Sequence, residues 1–278
     1  MIGHSYATAK VGKYRCAEPE CRKDFTATVG TLFERSKIPL STWFRAVHLL
    51  CSSKKGMSSH QMHRMLGVSY KTAWFMTHRI REGMRAGKLA IMGGAGGIVE
   101  VDETFIGNDR DVKPHGSKKG RGYAHKHKVL SLVDRDTGQK RSMVVDDLTA
   151  KTLVPILREN IAREARVMTD EAGQYGKLSA TFAQHDYVSH GAGEYVNLED
   201  RAIHTNTIEG AFSIFKRGMK GTYQHCGKQH LHRYLAEFDF RYNNRVRLGI
   251  GDVERARKVI EGIGGKRLTY GEPRSAQA

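Results

Sequence analysis

Three acidic residues, Asp102, Asp170 and Glu209, occupy settings where a carboxylate can do chemistry. Asp102 interrupts the largely apolar run Ile98-Val99-Glu100-Val101-Asp102-Glu103-Thr104-Phe105-Ile106, Asp170 ends Val167-Met168-Thr169, and Glu209 follows His204 within the first turns of a helix. Cleaving or joining a phosphodiester backbone needs a nucleophile, neutralisation of charge on the phosphoryl group and support for the leaving oxygen. Two magnesium ions roughly 3.5–4 Å apart supply all three, and carboxylates at the ends of strands and helices hold such ions. A single strand-end Asp usually faces water, so none of the three decides the matter alone. Their order along the chain is more informative, because residues at these places can converge on one edge of a sheet.

The elements that must position them read as follows. Residues 98–106, 128–134 and 141–146 alternate like strands, and Arg135-Asp136-Thr137-Gly138 makes a hairpin turn between the last two. A helix is expected over 152–161, a fourth strand over 165–170, an irregular run with room for a fifth strand over 187–196, and a helix over 205–216. This order predicts a mixed α/β layout with an antiparallel start, not a doubly wound sheet. Glu209 and Lys216 lie two helical turns apart and therefore share a face.

Upstream, residues 25–86 carry a helical period, with Trp43, Phe44, Val47, Leu49 and Leu50 along one helix. Ser58 or Ser59 can cap a second helix, Leu66-Gly67-Val68 turns the chain, and Ser69 can cap a third from Tyr70 to about Met84. Helix, short turn, helix is the outline of a helix-turn-helix, in which Ser69, Tyr70, Lys71 and Thr72 would meet base edges and Arg79 and Arg81 phosphates. A helical hairpin that only packs on its neighbours is the alternative. Glycines at 87, 93, 94, 96 and 97 suit a linker and place a boundary near residue 95. The expected division is a ribbon-like segment (1–30), a helical region (31–95), the α/β domain (96–250) and a tail (251–278) without identifiable chemistry.

Lys and Arg total 46 against 29 Asp and Glu in 278 residues, a formal net charge of +17. That excess points to a polyanion, with nucleic acid ahead of anionic membrane because no basic amphipathic helix or lipidation motif is evident. No apolar run long enough to cross a bilayer and no secretory signal is seen, so a cytoplasmic location is expected. Cys16 and Cys21 flank a short turn and have the form of one knuckle of a zinc ribbon; two ordinary thiols in a loop is the alternative. Cys51 and Cys226 read as small packed hydrophobes. Lys113, Lys118, Lys119, Arg121, Lys126 and Lys128 form a basic stretch that could track a DNA backbone or simply face solvent. The irregular spacing of His115, His125 and His127 there favours DNA contact or simple exposure over a metal site, and His230 and His232 are expected on a helix surface.

Taken with Val101-Asp102-Glu103-Thr104-Phe105-Ile106-Gly107, Thr169-Asp170-Glu171, His204-Thr205-Asn206-Thr207-Ile208-Glu209, Phe215-Lys216-Arg217-Gly218, Gly221-Thr222-Tyr223 and Phe240-Arg241-Tyr242-Asn243, the chain from about Tyr14 to Asn244 resembles a known family. It is similar to the DDE-type transposases of prokaryotic insertion sequences, in the subgroup with a zinc ribbon, a helical DNA-binding region and an ISXO-like catalytic domain. The resemblance implies a ribonuclease-H-like fold whose first strand carries Asp102, whose fourth carries Asp170 and whose late helix carries the third ligand, with Mg2+ or Mn2+ as cofactor. It implies that Lys216 contacts DNA near the active site. Some members have Asn at the third position, so Asn206, one turn before Glu209, is the alternative ligand. It also implies a homo-oligomer acting on double-stranded element ends and target DNA, and a structural zinc site of which Cys16 and Cys21 form one pair. An inactive DNA-binding derivative and a nuclease on the same core are the competing readings.

Overall fold

The computed structural model describes residues 5–7, 12–87, 89–108, 123, 125–176, 178–189, 191, 193 and 195–269. Its architecture is set by alternation along strand β4 (Ile98–Ile106), the middle of five. Antiparallel β5 (His127–Asp134) lies on one side of it and carries antiparallel β6 (Lys140–Val145) at the edge. Parallel β7 (Arg166–Asp170) lies on the other side and carries parallel β8 (Gln184–Val188). The β5–β6 hairpin closes as expected: the Asp134 carboxylate accepts from the backbone N–H of Asp136 (3.0 Å) and Thr137 (2.9 Å), and Gly138 takes a φ of 67°. Successive residues of β4 face opposite sides. Val99 and Val101 pack with Leu130, Leu132 and Val167 against Leu153 and Leu157 of helix α4 (Ala150–Asn160). The opposite face meets helices α5 (Asn206–Gly218) and α6 (Lys228–Asn243) through Ile106, Val129, Phe215, Leu235 and Phe238.

The mixed α/β layout is therefore observed, with one shift. The fifth strand is Gln184–Val188 and not part of 187–196, where Val196 makes only an isolated pairing with His204. Gln184, His185 and Asp186 offer no apolar alternation, and β8 is tied in through Arg166, whose guanidinium reaches Asp186 (2.7 Å) and Asp200 (2.7 Å).

Before the sheet come three short antiparallel strands, β1 (Ser5–Ala7), β2 (Lys13–Cys16) and β3 (Asp24–Thr26), so Phe25 begins in a strand and not in the helical stretch. Helices α1 (Leu40–Ser52), α2 (Ser59–Leu66) and α3 (Tyr70–Met84) follow. Ser58 and Ser69 cap α2 and α3, each Oγ accepting from a backbone N–H three residues on (3.1 Å), and Gly67 ends α2 in the left-handed region with a φ of 67°. Leu32, Trp43, Val47, Leu50, Met62, Met76 and Ile80 make their core. Residues 251–278, read as a tail, contain helix α7 (Asp252–Glu261), whose Val259 enters that core together with Ile263. The 256, 259, 260, 263 spacing of apolar residues is its helical signal. Among the described residues no helix is long and apolar enough to cross a membrane.

Arg81 departs from the phosphate-contacting role expected for it. It lies on the face of α3 that meets α6, is 1% exposed, and its Nε donates to Glu237 at 2.6 Å. Arg241 and the Tyr223 hydroxyl share the same carboxylate, the latter from a single π-helical turn (Met219–Tyr223) that links α5 to α6. Two buried guanidinium groups thus depend on one buried carboxylate. Removing one partner of such a set is strongly destabilising. Glu237→Gln is expected to lower stability by about 3–5 kcal/mol, read from the urea midpoint.

His78, on the same interface, packs against Trp74, His230 and Tyr234, and neither ring nitrogen has a partner. His230 is accordingly half-buried and not simply on the surface. Burial, reinforced by Arg81 and His230, pushes the His78 pKa down from 6.5 to about 2. The unfolded chain therefore binds a proton between those values that the folded chain refuses. Stability is whole above about pH 6.5 and falls as pH drops toward 2. His185, His204, His230 and His232 are shifted the same way. A His78→Phe variant is expected to flatten the acid limb of the melting-temperature profile without abolishing it.

Candidate active site

The parallel register of β4 on β7 pairs Ile98 with Arg166 and Glu100 with Met168. Continued by two residues, the same offset sets Asp102 opposite Asp170. Even-numbered residues of β4 and β7 face α5, so both carboxylates point to the side from which Glu209 approaches. What brings α5 there is Glu100, on the same face of β4 and 0% exposed. One of its oxygens accepts from the backbone N–H of Ile208 in the first turn of α5 (2.8 Å). The other accepts from Arg135 Nε (2.6 Å), and Arg135 also donates to the carbonyls of Ala202 (2.5 Å) and His204 (2.6 Å). Strand, hairpin and helix start are thereby fixed to one buried carboxylate, with Glu209 one residue beyond the capped amide. The Thr205 hydroxyl donates to Glu209 Oε1 (3.2 Å), and the backbone N–H of Ala172 donates to Asp170 Oδ1 (3.0 Å).

The field in this cleft is negative. Burial raises the Asp102 carboxyl from 3.8 to about 8, and the charges of Glu103, Asp170 and Glu209 add to the shift against a 2.7 Å hydrogen bond from the Glu103 N–H. Glu103, which alternation turns to the α4 side, is also raised, mainly by burial. Its Oε1 accepts from the Tyr175 hydroxyl and from Gln174 (3.4 Å), and Tyr175 is itself raised well above 10.0 by burial and by Glu103. Sequence reasoning singled out neither Glu100 and Arg135 nor Glu103 with Tyr175 and Gln174. The visible signal was three acidic residues within one apolar strand.

The remaining expected site residues are dispersed. Asn206 is the exposed first residue of α5. Lys216 is exposed two turns beyond Glu209, its Nζ 6.0 Å from the centre of the Phe212 ring. On α3, the Ser69 and Thr72 hydroxyls bond each other (2.8 Å), Tyr70 stacks on His60 (4.3 Å between ring centres), and Lys71 is exposed. Lys113, His115, Lys118, Lys119 and Arg121 lie outside the described residues. His127 begins β5 and is buried. Cys16 and Cys21 lie together at the end of β2, where the Lys23 backbone and the Cys16 side chain lower the Cys21 pKa. Cys51 is buried in the helical core and Cys226 packs beside α5 and α6, as small hydrophobes do.

Carboxylate oxygens are the donors a hard divalent cation takes, and their mutual repulsion is what such a cation relieves. Among the described residues, however, no three His, Cys, Asp or Glu side chains stand close enough together to hold one ion.

A mixed sheet with acidic residues on its first and fourth strands and on the helix packed across them defines the class of protein to which the comparisons point. Residues 94–243, more than half of the chain, match the ISXO2-like transposase domain. An uncharacterized protein in transposable element ISH50 of Halobacterium salinarum is 30% identical over 240 residues, covering 82% of this chain and 78% of that protein. An uncharacterized transposase-like protein of Haemophilus influenzae is 26% identical over 103 residues, 37% of this chain and 80% of that one. Among solved structures, a chain of the simian T-cell lymphotropic virus intasome in complex with PP2A regulatory subunit B56 gamma overlaps with a TM-score of 0.32 at 11% identity. That overlap takes in 71% of this chain and 65% of that one, just under two thirds of its length. The chain belongs to the ISXO2-like transposase family.

Because the folded Asp102 pKa lies above its unfolded value, stability is whole below about pH 4 and is lost as pH rises through about 8. Asp102→Asn removes that loss. In the absence of divalent cations, the melting temperature of the wild type is expected to fall between pH 5 and about pH 8 more steeply than that of the variant; parallel profiles would contradict a buried, crowded Asp102.

Proposed function

We propose that this chain is an insertion-sequence transposase on a ribonuclease-H-like core, cleaving element-end DNA and joining the freed 3′-hydroxyl to target DNA. The single observation that carries this reading is Asp102 and Asp170 on the sheet face that α5 covers, with Glu209 in the first turn of α5, in a chain of a transposase family. Asp102, Asp170 and Glu209 would hold Mg2+ or Mn2+. Such an ion lowers the pKa of an attacking water or hydroxyl and stabilises charge on the phosphoryl oxygens. Glu209 is preferred to Asn206 as third ligand because its charge adds to the field at Asp102, whereas Asn206 is exposed.

Around this centre the chain's own residues position the DNA. Lys216, on the exposed side of α5, contacts a phosphate near the reacting bond. The α2–turn–α3 unit presents Tyr70 and Lys71 to the duplex, while Ser69 and Thr72 hold the start of α3 and offer it through their cap. Lys118, Lys119 and Arg121 extend the backbone-tracking surface. Cys16 and Cys21, with the Cys21 thiol already lowered, supply two thiolates toward a zinc site. The work is done in the cytoplasm by a homo-oligomer, because two element ends must be held at once.

Terminal inverted repeats in the genomic flanks supply the substrate. The wild type with Mg2+ or Mn2+ is expected to nick repeat-bearing duplexes and transfer the strand into a target plasmid, and Asp102→Ala to lose both activities. Cleavage and joining that persist in Asp102→Ala would reject the assignment. Cleavage without joining in the wild type would indicate a nuclease, and binding without either reaction a DNA-binding derivative.

A further inference from the structure

A cavity of about 330 Å3 opens beside the start of α3, far in sequence from the carboxylates. Lys71, Phe75 and Arg79 line one side of it at successive turns of α3, and Arg35, Lys37 and Trp43 line the other. Four cations and no carboxylate contribute to this wall. Arg79 is the unusual member. It is 7% exposed, and no carboxylate among the described residues forms an ion pair with it. One terminal N–H donates to the Glu34 carbonyl (3.0 Å), and its buried Nε has no acceptor. Its guanidinium lies 5.2 Å from the Phe75 ring centre and 5.9 Å from that of Trp43. The nearest acid offers little relief: the Glu34 carboxylate accepts from the Gly30 N–H (3.0 Å) and lies 3.8 Å from Arg35 Nε. Burial, with the charge of Arg267, presses the Arg79 pKa down against the opposing charge of Glu34.

A buried cation with no ion-paired carboxylate, in an open pocket whose only charged lining residues are basic, is a place that favours an anion. The exposed cations Arg35, Lys37 and Lys71 beside it suit an anion on an extended polyanion better than a lone ion. We infer that this pocket receives a backbone phosphate of duplex DNA, with Arg79 as its floor and Arg35 and Lys37 as its rim. The pocket thereby fixes the register of α3 on the duplex. Phosphate contacts of this kind set orientation and carry no sequence information. The inference rests on the reading that the chain binds DNA.

The test uses the full chain and a fluorescently labelled duplex of random sequence, with affinity measured over a series of KCl concentrations. Arg79→Gln is the direct variant; because a buried change can disturb folding, the exposed pair Arg35→Gln/Lys37→Ala carries the decision. A control, Lys151→Ala/Arg158→Ala on α4, removes the same charge elsewhere. The rim variant is expected to bind about tenfold more weakly at about 0.1 M salt, and its slope of log affinity against log salt to be shallower by about 1. The control should shift neither by more than a small fraction of that. Rim and wild-type curves that coincide, or a control that loses as much as the rim variant, would overturn the pocket while leaving DNA binding intact. A wild type without salt-sensitive binding would overturn both.

Discussion

The buried Glu100 carboxylate is the fixed point of the α/β domain. It is inaccessible and two residues from Asp102, and burying a carboxylate there would be costly without full compensation. Compensation comes from two directions: the Ile208 amide at the start of α5 and the Arg135 guanidinium from the β5–β6 hairpin. Arg135 then binds the carbonyls of Ala202 and His204, so the chain entering α5 is held as firmly as the helix itself. One ion pair thus sets the angle at which α5 crosses the sheet. Val133, Ile208 and Phe212 pack beneath it, converting a polar anchor into a packed contact.

Asp102 is the complement of Glu100. The two share a strand face and differ in what surrounds them. Glu100 has an arginine and an amide; Asp102 has one local amide and three further carboxylates in its field. The stable neighbour makes the unstable one possible, because the anchoring of α5 holds Glu209 near Asp102 despite their repulsion. Under the proposed function, a bound cation would relieve that repulsion. The second buried charge set, Arg81, Glu237 and Arg241, fastens the helical region to α6.

Much of this was legible in the residues. The alternation of 98–106, 128–134 and 141–146 marked the antiparallel start to within a residue, and Ser58, Gly67 and Ser69 marked the helix ends, because these signals are local. Asp102, Asp170 and Glu209 stood out as candidates by type and position. What could not be read was long-range. Arg81 looked like a surface cation until its α6 partner was known, and α7 looked like a tail because its apolar residues find their partners some two hundred positions away, in α1 and α3. β8 is polar and gains its place from Arg166. Arg135 looked like an ordinary turn residue, since nothing near it in sequence shows that Glu100 waits across the sheet.

The claim on which the account turns is that Asp102, Asp170 and Glu209 act as one cation-binding centre. Titration of the metal-free full chain with Mn2+, followed by the loss of the free-ion electron paramagnetic resonance signal, tests it most directly. Saturable binding to the wild type is expected, weakened at least about tenfold, or about 1.4 kcal/mol, in Asp170→Asn and again in Glu209→Gln, with Asn206→Ala unchanged. Equal Mn2+ affinity in the wild type and both carboxylate variants would contradict it.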